Sequence, residues 1–270
     1  MENRKDKAGA TASAEAFAVH RIRLSIDGND ILSDVDLSFP KGEFVALVGH
    51  NGSGKSSLLK ILGRQILPTS GLASYAGRDI RSFPERAFAR SVAYLPQDVS
   101  ASADMTVREL VRCGRYPWHG PLGRFSRTDG EKVEQALALT HLEPLADRIV
   151  ATLSGGERQR AWLAMLVAQD TECLLLDEPT AALDIAHQIE VLSLVRRLSH
   201  EKGLSVIIVL HDINMAARFC DRISALKRGR VVASGRPNEI LMRERLQEIY
   251  GIDMDVIAAP KTGYPLAYAC

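Results

Sequence analysis

Three short runs in this chain carry residue types whose spacing suits phosphate chemistry. The first, Gly49-His-Asn-Gly-Ser-Gly-Lys55-Ser56, fits the pattern G-x-x-x-x-G-K-[ST]. Gly49, Gly52 and Gly54 let the backbone turn tightly enough for N–H groups to face phosphate oxygens, and a helix starting near Lys55 adds its positive end. Asn51 and Ser53 complete the loop, Lys55 is suited to β- and γ-phosphates, Ser56 to Mg²⁺, and Ser57 to a further hydroxyl contact. The second run, Cys173-Leu-Leu-Leu-Asp177-Glu178, is an apolar strand ending in two carboxylates. Ligand sites of parallel sheets gather at that end of a strand, so Asp177 suits the Mg²⁺ shell and Glu178 suits a general base acting on water. The third, Leu153-Ser-Gly-Gly-Glu157, puts a hydroxyl and bare N–H groups at a helix start, a geometry that binds an anion. Ser154-x-x-Glu157 also fits a capping box, and both readings stand together, although a cap alone does not need Gly155 and Gly156.

The surrounding elements must hold these runs in place. Short β-type stretches over 18–26, 31–39, 44–48, 72–75 and 91–95 fill the first hundred residues, with Asp27-Gly28 and Pro40-Lys-Gly42 as turns. After Ser56 the pattern becomes helical and runs toward Pro68. From 98 to 152 the β signal fades. Helices are predicted over 105–112 and 129–141, the second with Val133, Leu137 and Thr140 on one stripe, around a Gly-, Pro- and aromatic-rich loop at 114–123. Alternation then resumes, with a helix from Gly155, a strand at 174–176, a helix at 185–198, a strand at 204–210 and a helix at 212–219. A hairpin at 227–230 and a closing helix at 238–250 follow. Buried strands alternating with helices predict an α/β fold whose mixed sheet is flanked by helices, with a β-rich N-terminal part and an inserted helical subdomain. The expected division is a disordered tail at 1–15, a core formed by 16–97 and 153–255, a helical subdomain at 98–152 and a C-terminal tail at 256–270.

Composition narrows the function classes. The 34 basic and 33 acidic residues give a net charge of +1, which supports neither a nucleic-acid carpet nor an anionic-membrane patch. No apolar run approaches the ~20 residues that span a bilayer, so membrane work requires a separate partner. The charged start, Met1 to Lys7, has no apolar signal core. Cys113, Cys173, Cys220 and Cys270 show no C-x-x-C spacing and suit a reducing compartment.

At these runs the chain resembles the ATP-binding-cassette (ABC) ATPases of the P-loop NTPase class, over roughly residues 17–250. The resemblance implies ATP and Mg²⁺ as ligands. It also implies a head-to-tail dimer in which Ser154, Gly155, Gly156 and Glu157 face the nucleotide of a second copy. Gln97 matches the glutamine that senses Mg²⁺ and the membrane partner, Ala182-Leu-Asp184 the loop that crosses the dimer interface, and His211 the switch histidine near the γ-phosphate. Gly114-Arg-Tyr-Pro-Trp-His-Gly, Arg158-Gln-Arg-Ala-Trp162, Ile185-Ala-His-Gln188 and His211-Asp-Ile-Asn-Met-Ala-Ala217 are similar to the iron-siderophore, haem and cobalamin importer subfamily, and among these to ferric-hydroxamate (ferrichrome) importer ATPases.

That likeness implies an ATP hydrolase peripheral to the cytoplasmic face of a bacterial inner membrane. Its partners would be a polytopic permease and, indirectly, a periplasmic siderophore-binding protein. Neither nucleic acid nor direct membrane contact is expected. The loop at 114–123 beside Gln97 is a candidate grip for a permease helix, against the alternative of an ordinary packed loop. One departure concerns adenine: where the family places a stacking aromatic, this chain has Ile26, flanked by Ser25 and Asp27, with Phe17 as the alternative. A non-transport ABC protein lacks support because the chain shows no second cassette or long coiled coil, and a small-molecule kinase leaves 153–157 without a role.

Overall fold

The computed structural model describes residues 15–97, 104–120, 123–181 and 183–270. The tail expected at 1–15 therefore lies outside the described residues except for Glu15, as do the first residues of the helical segment, Pro121 and Leu122 of the 114–123 loop, and Ala182.

Strands β1 (Glu15–Ile26) and β2 (Asn29–Pro40) form an antiparallel pair around the Asp27-Gly28 turn. Strand β3 (Phe44–Val48) is buried at every position and leads through the phosphate loop into α1 (Lys55–Leu62). That helix stops at Leu62, with Gly63 as its cap, well before Pro68. Next come β4 (Ser70–Tyr75), the two-residue β5 (Arg78–Asp79), α2 (Glu85–Ser91) and β6 (Val92–Leu95). In the helical segment α3 (Val107–Cys113), α4 (Tyr116–His119) and α5 (Arg127–Leu139) precede α6 (Gly155–Gln169). Capping boxes start three of these helices: Thr106 with Glu109, Ser126 with Asp129, and Ser154 with Glu157. The loop expected at 114–123 contains the turn α4, because Pro117 suits a helix start and Gly120, at positive φ, ends it.

The α/β alternation continues with β7 (Cys173–Leu176), α7 (Ile185–Lys202), β8 (Ser205–Val209) and α8 (Ile213–Phe219). The predicted hairpin is formed by β9 (Arg222–Lys227) and β10 (Arg230–Gly235). The single helix predicted at 238–250 is two, α9 (Pro237–Ile240) and α10 (Arg243–Tyr250), because Leu241 and Met242 leave helical backbone angles. Part of the stretch read as a C-terminal tail pairs into a hairpin of β11 (Met254–Ala258) and β12 (Pro265–Ala269). Asn214 on α8 ties β12 down through both the amide and the carbonyl of Ala267.

The central sheet runs β10-β9-β3-β8-β7-β6, parallel except for the β9–β10 pair, and a second, antiparallel sheet runs β2-β1-β4-β5. Side chains of β3 alternate between two cores. Phe44, Ala46 and Val48 pack with the helices of the insert, α6 and α7, while Val45 and Leu47 pack with α1 and the antiparallel sheet. Both faces of the strand are thus covered, which accounts for its unbroken apolar sequence. The helical segment joins the first core, with Val111, Val133 and Leu137 packed in the same cluster as Leu163 of α6.

A buried ion pair fixes that segment. Arg115 Nε donates to Asp129 Oδ1 at 2.8 Å and Arg115 Nη1 donates to the carbonyl of Ala168 at 2.7 Å, so the ends of α3, α5 and α6 meet at one guanidinium. Burial works to raise the Asp129 carboxyl, but the Ser126 hydroxyl and amide and the Arg115 guanidinium hold it down at about 2. A carboxyl depressed below its ordinary 3.8 stabilises the fold fully above that value, and the contribution is lost as pH falls through about 2. Asp129→Ala leaves a buried guanidinium unpaired. We expect urea unfolding at neutral pH to show a loss of about 3–5 kcal/mol, and a much smaller difference at pH 2.

Candidate functional site

Four strand ends of the central sheet converge on one cavity of about 410 Å³. It is lined by Asn51, Gly52, Ser53, Gly54, Lys55, Ser56 and Ser57 after β3, Gln97 after β6, Glu178 after β7 and His211 after β8, with Ile31 of β2 closing one side. Gly49, Gly52 and Gly54 all adopt positive φ, at 135°, 74° and 98°. Two of these three also have no room for a side chain. A Cβ on Gly49 would lie 2.1 Å from the carbonyl oxygen of Leu226, and one on Gly54 would lie 2.5 Å from Leu32 Cδ2.

Lys55, 4% exposed, curls back so that Nζ donates to the carbonyls of Gly49 at 2.9 Å and His50 at 2.8 Å. Burial lowers its proton affinity, while Glu178 and Asp177 oppose that shift. Ser53 Oγ is buried and has no hydrogen-bond partner in the loop. A cation beside an unsatisfied hydroxyl, on a loop of positive-φ glycines at a helix start, is the donor set that phosphate oxygens satisfy.

Asp177 is fully buried behind Ser56, which lines the cavity. Its Oδ1 accepts from Ser56 Oγ at 2.7 Å, and burial lifts the carboxyl above its ordinary value against the pull of that bond. Glu178 adopts φ 49°, a strained angle for a side chain of this kind, which turns its carboxylate into the cavity instead of along the strand. Its Oε2 accepts from Gln97 Nε2 at 2.7 Å and lies 2.7 Å from His211 Nε2. A carboxylate held by two neighbours at the mouth of a phosphate cradle can take a proton from water. Among the described residues no group of three His, Cys, Asp or Glu could hold a metal ion. A hydroxyl, a carboxylate, an amide carbonyl and phosphate oxygens are instead the hard ligand set that Mg²⁺ accepts, and Ser56, Asp177 and Gln97 would supply the protein's share.

Ser154, Gly155, Gly156, Glu157 and Asp184 do not line this cavity. Ser154 and Gly155 lie exposed at the start of α6, where Ser154 Oγ accepts from the Glu157 amide and Glu157 Oε2 accepts from the Ser154 amide. Asp184 caps α7 and accepts from the amide of His187 at 2.9 Å and from its Nδ1 at 2.8 Å. The His187 ring packs on Gly156 so closely that a Cβ there would lie 2.2 Å from His187 Cδ2, while Leu183 packs beside Gly155. The glycine pair therefore serves packing between the starts of α6 and α7, with Gly155 exposed and Gly156 buried under His187.

Phe17 is excluded from stacking on a base, since it is 0% exposed and packs against the Tyr75 ring. Ile26 is 47% exposed at the β1–β2 turn. Ile31 was not foreseen, because nothing in the sequence distinguishes it from any other residue of β2. In the 114–123 loop, Trp118 donates through Nε1 to the carbonyl of Gln169 at 2.7 Å and lies under the guanidiniums of Arg90 and Arg115, while Tyr116 stays exposed. Trp118 is thus tethered by its hydrogen bond and cation contacts yet, like Tyr116, exposed.

Comparison with known proteins adds four likenesses. The sequence profile of the ABC transporter family matches residues 32–181. The ferric enterobactin transport ATP-binding protein FepC of Escherichia coli is 41% identical, covering 95% of this chain and 94% of its own length. The iron(3+)-hydroxamate import ATP-binding protein FhuC of Bacillus subtilis is 40% identical over 89% of this chain and 88% of its own. In three dimensions the chain is similar to a dimeric ATP-binding cassette solved in a post-hydrolysis state with ADP and Pi. The TM-score is 0.70 at 27% identity, covering 82% of this chain and 98% of that one.

The contact between His187 and Gly156 sets a test. Gly156→Ala should destabilise the chain by about 1–3 kcal/mol through overpacking, and adding His187→Ala should restore most of that loss, read by urea unfolding. An additive double variant would show that the ring does not set the requirement for glycine.

Proposed function

The chain belongs to the ABC transporter family, and we propose that it energises uptake of ferric hydroxamate siderophores of the ferrichrome type through a bacterial inner-membrane importer. It is an ATP hydrolase of the P-loop class with an inserted helical segment. The observation that carries the reading is the convergence of the phosphate loop, Gln97, Glu178 and His211 on one cavity. The cargo rests on likeness. An enterobactin and a hydroxamate system ATPase lie equally near in identity, so ferric catecholate, haem and cobalamin are the competing cargoes.

In this reading the N–H groups of residues 49–57 cradle the triphosphate and Lys55 moves from its backbone carbonyls to the β- and γ-phosphates. Ser56, Asp177 and Gln97 hold Mg²⁺, which when bound neutralises phosphate charge. Glu178 accepts a proton as its water attacks the γ-phosphorus and the bond to the ADP oxygen breaks, while His211 keeps the carboxylate aimed. Adenine contact is aliphatic, through Ile26 and Ile31. Ser154, Gly155, Gly156, Glu157 and Asp184 complete the site of a second copy in a head-to-tail dimer. Two features support that assignment: these residues lie apart from the chain's own cavity, and the solved cassette to which the chain is similar is dimeric.

No helix among the described residues is long and apolar enough to cross a membrane. From the likeness to import-system ATP-binding proteins we place the chain on the cytoplasmic face, in contact with the membrane only through a permease held by the helical subdomain at 98–152 and the 114–123 loop. A periplasmic siderophore-binding protein takes part only indirectly. Nucleic acid has no role.

Glu178→Gln should lower the turnover of ATP by about 10²–10⁴-fold while nucleotide binding persists. An unaltered rate would remove Glu178 as the base. In a strain lacking the chain, uptake of radiolabelled ferrichrome should fail and that of ferric enterobactin should continue. The reverse pattern would reassign the cargo.

A further inference from the structure

Tyr94 stands between Asp177 and a second cavity. It stands on β6, three residues before Gln97, and its hydroxyl donates to Asp177 Oδ2 at 3.4 Å. Among the described residues, Ser56 on Oδ1 and Tyr94 on Oδ2 are the side chains that donate to this carboxylate. A buried carboxylate with one donor on each oxygen is sparsely satisfied, so its orientation depends on both.

The other end of the contact lies in a different place. The Tyr94 ring packs on Gly63, the cap of α1, with ring carbons 3.1 and 3.3 Å from where a Cβ would sit. It lines a cavity of about 370 Å³ together with Arg64, Phe88 and Gln169. At 3.4 Å the hydroxyl contact is near the long limit of a hydrogen bond, so a shift of a few tenths of an ångström in the ring makes or breaks it. The same ring is reached from the second cavity.

We infer that Tyr94 is a positioning residue for Asp177. Its hydroxyl fixes the carboxylate beside Ser56 in the orientation that receives the nucleotide's Mg²⁺. Its ring, seated on Gly63 at the end of α1, holds the hydroxyl at that distance. The inference rests on the reading of Asp177 as a Mg²⁺ residue.

The test is the affinity of a fluorescent ADP analogue for the purified full chain, measured in Mg²⁺ and in EDTA. Tyr94→Phe keeps the ring and removes the hydroxyl. Affinity in Mg²⁺ should fall about 2–10-fold, and affinity in EDTA should match the parent chain, which also shows that the variant is folded. Gly63→Ala pushes on the ring at its tightest contact and should weaken binding in Mg²⁺ alone. Combined with Tyr94→Phe it should add no further loss. A Mg²⁺-dependent gain that survives Tyr94→Phe intact, equal losses in Mg²⁺ and EDTA, or additive effects of the two changes would each overturn the inference alone. A parent chain that gains nothing from Mg²⁺ would overturn the Asp177 reading and the inference with it.

Discussion

The phosphate loop is closed by sterics from two sheets at once. Gly49 lies against the backbone of Leu226 in the central sheet, and Gly54 lies against Ile31 and Leu32 of the antiparallel sheet. A methyl group at either position would force a sheet to move, and the positive φ at both would strain any side chain. The loop is thus the joint between the sheets, and its shape is set before any ligand arrives. Because its floor is the C-terminal edge of parallel strands, Glu178, Gln97 and His211 reach the cavity from neighbouring strands with no further construction, and Asp177 stands behind Ser56. The preorganisation that phosphate chemistry requires follows from how the two sheets meet.

Charge balance also shapes this joint. Lys55 is buried and takes the carbonyls of Gly49 and His50 as partners, with the carboxylates of Asp177 and Glu178 nearby. Glu178 in turn leans on Gln97 and His211 at a strained backbone angle. Each of these contacts can be exchanged for a ligand oxygen or a water without moving a strand. The start of α6 has no such exchange available within its own chain, since Ser154 and Gly155 are exposed outside the cavity. That separation is what supports the proposal that a second copy completes the site.

Much of this was legible in the sequence because the signals are local. The glycine spacing of 49–54, the apolar run before Asp177 and the Ser154-to-Glu157 cap each fix a conformation within a few residues, and β3 and the start of α6 fall where periodicity and capping place them. What escaped depends on contacts between distant segments. Nothing near Gly156 announces His187, and nothing near Tyr94 announces Asp177, since each pair meets only once the sheet is assembled. The break at Leu241 and Met242 was hidden because both residues are apolar and suit a continuous helix, and the turn at Tyr116 was hidden by its flanking glycines. Phe17 is attractive by type, yet β1 carries it into the core, far in register from Ile26 at the turn.

In the proposed dimer, residues 154–157 of a second copy complete the nucleotide site. Sedimentation of the purified chain with Mg²⁺ and a slowly hydrolysed ATP analogue, compared with ADP, distinguishes this from a site complete in one chain. Twice the monomer mass is expected with the analogue, the monomer mass with ADP, and loss of the doubling in Ser154→Arg with nucleotide binding retained. A chain that stays monomeric at saturating analogue, or a Ser154→Arg variant that still doubles, would contradict it.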